Sequence, residues 1–145
     1  MHNIEVDQSG RTDRLSKDTA MAFSDGIQGS MLITAAVKRA CYHKLRARNM
    51  RKRLVGVRLF AAALVILLRD QIKELGLICI DLEYPGWEGE IIRHLLRHLP
   101  GLRSDQIYFD RIGKGSPAHD LAWRTWRRQR EPDKRVTVEE LLEAC

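Results

Sequence analysis

No acidic residue occurs between Asp25 and Asp70, although ten lysines and arginines fall in that interval. A stretch of one sign focuses a positive field on part of the surface, and a phosphate polymer is its most natural partner. A solvated basic helix without a partner is the plainer reading of the same stretch. A membrane surface fits less well, because the cations face no opposing row of bulky apolar residues. Cysteine is scarce too. Cys41, Cys79 and Cys145 are odd in number and lack CxxC spacing, which speaks for a reducing compartment and against a zinc site or a disulfide framework. The chain lacks an apolar run of 18 residues; its strongest, Leu59 to Leu68, spans ten and reads as buried helix. The polar N-terminus has no signal-peptide core, so the expected compartment is the cytoplasm, away from membranes. The string Gly113–Ser116 lacks the upstream glycine and strand of a phosphate-binding P-loop, which excludes ATP binding.

What remains is 145 residues, 44% of them hydrophobic, with a net charge of +6. That is enough for one well-buried core, and residues 1–145 are read as a single domain. IEVDQSG (4–10) predicts a strand and a turn, Thr19–Ser24 a second strand closed by Asp25-Gly26, and Met31–Val37 a third. Short connections make these an antiparallel meander. From Lys38 the composition turns helical: a basic segment over 38–50, then a long helix over Arg51–Leu75 with Gly76 as its C-terminal cap. The middle of that helix is apolar on all sides, so it packs on the sheet and lies under another element. LICIDLEY (77–84) predicts a buried strand, Glu88–Leu99 an amphipathic helix, and Gln106–Ile112 a fifth strand. Pro117 opens a helix running to about Gln129, and after the polar REPDKR a short helix covers 137–144, its Thr137 and Glu140 forming a capping box. Ile, Leu and Val on the 88–99 and 137–144 helices are open to two readings, a homodimer surface or core.

The order is β-β-β-α-β-α-β-α with a helix appended, an α/β domain. A helical crossover lets the fourth strand lie parallel to the first, which sets Asp7 beside Asp81. Asp7 sits inside an apolar strand, Asp81 ends another with Glu83 two residues on, and Asp120 opens a helix. A carboxylate intruding on an apolar strand costs stability unless a cation compensates it, and three such intrusions suggest a divalent-metal site. Each also has a plainer reading: Asp7 as a turn-forming acid, Asp120 as a first-turn acid favoured by the helix dipole. Asp81, following LICI, is the hardest to explain away. Trp123 and Trp126 lie three apart and share a helix face, which predicts core packing; exposed, they would suit base stacking.

These elements, with Asp7-Gln8-Ser9-Gly10, Asp81 and His119-Asp120-Leu121-Ala122 in these places, resemble the ribonuclease H-like superfamily over residues 3 to 130. The resemblance implies a mixed five-stranded sheet, three antiparallel strands followed by parallel additions, flanked by helices. It also implies Mg²⁺ (or Mn²⁺) held by Asp7, Asp81 and Asp120, with Asp7 bridging. Members that cut RNA–DNA hybrids carry a Glu near the start of the first long helix, where Arg58 falls here. Either Glu83 supplies that carboxylate from the neighbouring strand or the site is degenerate. His119 is placed to shuttle a proton or assist a ligand. Lys44, Arg46, Arg48, Arg51, Lys52, Arg53 and the loop residue Lys114 are the candidate nucleic-acid contacts. The expected activity is endonucleolytic, on RNA–DNA hybrid or branched DNA. A non-catalytic nucleic-acid-binding module with a degenerate site is the alternative, and a basic docking face for an acidic protein ranks third.

Overall fold

The computed structural model covers residues 1–145. Three strands open the chain: β1 (His2–Ser9), β2 (Thr19–Asp25) and β3 (Ile27–Ile33), each antiparallel to the next. Asp25 faces Ile27 across Gly26, whose φ of +76° closes the hairpin. Two caps then end β3 earlier than the run Met31–Val37 suggests. The Thr34 hydroxyl accepts from the Val37 N–H, and the Asp18 carboxylate accepts from the Ala35 N–H at 2.8 Å. Together they turn residues that look strand-forming into the first turn of α1 (Ala35–Ala47).

Asn49, at φ +65°, turns the chain into α2 (Lys52–Leu68). As its all-round apolarity requires, α2 packs on the sheet and is covered by α1, α3 (Glu88–His98) and α5 (Val138–Ala144). It stops at Leu68, well before Leu75, and a 3-10 turn (Ile72–Glu74) leads into β4 (Leu75–Asp81). Gly76 is therefore a strand residue and not a helix cap. A Cβ there would fall on the Asn3 carboxamide, which accepts the Leu77 N–H at 2.8 Å. β5 (Ile107–Asp110) and α4 (Pro117–Trp126) follow.

The sheet runs β5-β4-β1-β2-β3 and ends on a short strand at the β3 edge, with β4 parallel to both β1 and β5. Six strands stand where five were expected. The sixth, β6 (Lys134–Arg135), pairs parallel with β3 out of the polar linker. Asp133 accepts from the Ser30 N–H at 3.0 Å and the Val136 N–H donates to Leu32 at 3.0 Å. Two residues are too few for any alternation to show in a sequence.

The faces of the sheet differ. Ile4, Val6, Ile78 and Ile80 join the main core under α2, together with Ile91, Leu95, Leu141 and Ala144 from α3 and α5. Those helices thus spend their apolar residues on the core, which leaves Leu96 as the exposed one of α3. On the other face α4 packs Leu121 and Ala122 over Ala22. Alternation along β1 puts Glu5 and Asp7 on this second face, next to α4. No helix is long and apolar enough to cross a membrane.

Candidate functional site

The site starts from Asp7, only 5% exposed in β1. The parallel register Val6↔Ile80 sets it beside Asp81, at the end of β4 and on the same face. Burial drives the Asp7 carboxyl above the ordinary carboxylate range, and the charge of Asp81 adds to the rise. Two donors oppose it: the Gln8 N–H at 2.7 Å on Oδ1, and His119 Nδ1 at 2.8 Å from Oδ2. Asp81 accepts the Ile112 N–H at 3.0 Å. Glu83 lies just past the strand, near enough to Asp81 for the two carboxyls to feel each other. Burial first, then the neighbouring Asp81 carboxyl, pushes the Glu83 carboxyl up, while the Arg11 guanidinium pulls it down. Asp7 and Asp81 thus stand side by side on parallel strands, as the crossover predicts, whereas Glu83, expected on the same strand as Asp81, lies past its end and pairs with Arg11.

Asp120 does not join them. Its side chain is 57% exposed and pairs with Arg124 one turn later at 3.0 Å. Neighbouring helix residues point about 100° apart, and α4 uses that rotation to aim His119, not Asp120, at Asp7. The Asp120 ligand is thus corrected to a surface ion pair, with His119 in its place. Arg58 is likewise remote. It donates to the Cys145 carbonyl at 3.1 Å and reaches Glu90 at 3.4 Å, tying α2 to α3 and the end of the chain. Ser116 caps α4 and donates to Glu5 at 2.8 Å. Trp123 is 40% exposed with Arg127 over its ring, which corrects the expected core packing; Trp126 donates its indole N–H to the Asp18 carbonyl at 2.8 Å.

The β1–β2 loop carries residues that no local pattern marks. Gly10 sits at φ +77°, and a Cβ would strike the Asp18 carbonyl. Lys38, in the basic run, is wholly buried and donates to the carbonyls of Arg11 and Arg14 at 3.0 and 2.7 Å and to Thr19 Oγ1 at 2.9 Å. Burial lowers its ammonium to about 8. The loop so pinned holds Arg11 against Glu83 Oε1 at 3.0 Å and over the Tyr84 ring at 4.8 Å. The Gln8 amide, also buried, has no hydrogen-bond partner. These contacts join residues about 20–70 positions apart, so no sequence window holds their signal. Lys44, Arg46, Arg48, Arg51, Lys52 and Arg53 all lie exposed at the α1–α2 corner, and Lys114 lies exposed in the loop before α4.

No three Asp, Glu, His or Cys side chains stand close enough together to hold one ion between them. The donor set nonetheless suits a hard cation, since it is built of carboxylate oxygens. Mg²⁺ in particular keeps several waters and commonly binds through one or two carboxylates. Asp7 and Asp81 are the residues that fit it, and the mutual repulsion of their charges is what such an ion would relieve. Compared with protein-family models, curated proteins and solved structures, the chain matches none.

Proposed function

We propose that this chain is a Mg²⁺-dependent endonuclease of the ribonuclease H-like kind, acting on structured nucleic acid. The observation that carries the reading is the Asp7–Asp81 pair: two carboxylates side by side on parallel strands, one of them buried in an apolar sheet. The strand order β3-β2-β1-β4-β5, antiparallel then parallel, supports the family resemblance. Asp7 and Asp81 would hold the ion, which supplies charge stabilisation at a phosphodiester and a nucleophilic water at neutral pH. His119 orients Asp7 through its Nδ1 and leaves the other ring nitrogen to exchange a proton at the leaving oxygen. Glu83, paired with Arg11, is the third acid of the cluster. The acid-free cationic corner of α1 and α2 would take the sugar-phosphate backbone.

The test is a panel of labelled hybrid, duplex, branched and single-stranded substrates with Mg²⁺, Mn²⁺ or EDTA. Cleavage that needs the metal and disappears in Asp7→Asn is the expected result. Binding without cleavage on every substrate would instead favour a non-catalytic module, the reading supported by the want of three converging ligands.

A further inference from the structure

A cavity of about 500 Å³ opens beside the acid cluster and shares Glu83 with it. Its size falls within the range of roughly 300–1,000 Å³ typical of sites that enclose small organic groups. Its wall is of two kinds. Lys52 and Arg53 line one part, from the start of a helix that has no acid in its first turn. Tyr42 and Trp87, both half-buried, line another. Tyr84, also in the wall, is fixed, its ring covered by Arg11 at 4.8 Å and its hydroxyl bonded to Thr12 at 2.7 Å. Arg11 is already committed to Asp13 and Glu83 at 3.0 Å each. Lys52 and Arg53 are thus the cations left for a ligand anion, and Tyr42 and Trp87 the aromatic surfaces left for a ligand ring.

We infer that this cavity receives one unstacked nucleotide of a nucleic-acid strand, its phosphate on Lys52 and Arg53 and its base against Tyr42 and Trp87. The inference rests on the reading that the chain acts on nucleic acid, and it narrows the substrate class. A base inside a continuous duplex cannot enter such a cavity without being extruded, whereas an unpaired base at a bulge, branch or single-stranded segment enters at little cost. Aromatic stacking accepts any base, so the selectivity is for an unpaired nucleotide and not for its identity.

Fluorescence anisotropy in EDTA, where no cleavage occurs, separates this from the nuclease reading. Two labelled duplexes are compared at one salt concentration, fully paired and with a single unpaired nucleotide, and a free nucleoside monophosphate serves as competitor. The unpaired form is expected to bind about tenfold tighter, the scale of one base–aromatic stack. Trp87→Ala and Tyr42→Ala should each reduce that preference while leaving affinity for the paired duplex unchanged, and Trp87→Phe should restore it. Lys52→Ala with Arg53→Ala should weaken both duplexes. Equal affinity for the two duplexes overturns the inference, as does a preference that survives both aromatic substitutions. Competition by the free nucleotide without any preference between duplexes assigns the cavity to a small molecule and also overturns it. If thermal melting shows Trp87→Ala unfolded, Tyr42→Ala decides alone by the same criterion. A preserved preference in a protein that never cuts would uphold the nucleotide site while removing the nuclease.

Discussion

Asp7 and Asp81 ride on the neighbouring parallel strands β1 and β4, whereas Asp120 rides on α4, and the two kinds of element aim side chains by different rules. In a strand the direction alternates, so the apolar residues around Asp7 and Asp81 determine the face of both. In α4 each step turns the side chain by about 100°, and a one-residue ambiguity moves a carboxylate from the site to the surface. The outcome is His119 at 2.8 Å from Asp7, and Asp120 in solvent with Arg124. Acids placed by strands converge here; the acid placed by a helix does not.

One substitution at both kinds of position sharpens this difference most. Asp7→Asn should lower metal-dependent cleavage at least about a hundredfold, the scale at which removing a charge-stabilising group acts. Asp120→Asn should change it less than about threefold, and equal losses in initial rates would break the distinction. His119→Ala should cost about a hundredfold if the imidazole transfers a proton or orients Asp7. An unchanged rate in that variant would return α4 to a purely structural role.

The pH profile is the next measure. Before an ion binds, burial holds the Asp7 and Glu83 carboxyls raised, so protons compete with the ion for Asp7 and cleavage at limiting Mg²⁺ should begin to fall on the acid side at a higher pH than a simple carboxylate would give. Arg11→Ala removes the cation that pulls Glu83 down and should move that limb further up in kcat/KM. Stability runs the opposite way from activity. Between the unfolded value near 3.8 and its raised folded value, Asp7 binds more protons folded than unfolded, so stability declines as pH rises through that window. Asp7→Asn should therefore melt higher than the native chain at pH 7, by about 0.5–2 kcal/mol, and no higher near pH 3.

Smaller effects separate the scaffold from the surface. Gly10→Ala forces a side chain into positive φ against the Asp18 carbonyl and should cost about 2–3 kcal/mol in denaturant melts. Asp120→Ala breaks only an exposed one-turn pair and should cost less than about 0.5 kcal/mol.

Legibility follows the range of the forces involved. The α/β class, the parallel β1–β4 pairing and the placing of Asp7 beside Asp81 were readable in the residues, because each is dictated by a local period or by a crossover of known hand. The end of β3 was not, since Asp18 caps α1 from 17 positions away. Nor was β6, whose two residues are held by Ser30 and Leu32 across the fold. Lys38 looks like one more surface cation and is instead buried among three acceptors of the β1–β2 loop.

By itself the sequence determined which faces of the strands and of α2 are apolar, where the basic corner lies, and that acids intrude on the sheet. Burial of apolar surface is nondirectional and scales with composition and period, so a string of residues carries it. Tertiary structure alone decided the phase of α4, the clamp of Lys38 on the loop and the pairing of Arg11 with Glu83. Hydrogen bonds and ion pairs are directional and short in reach. They select their partners only after the packing of the core has brought distant segments to within a few ångströms.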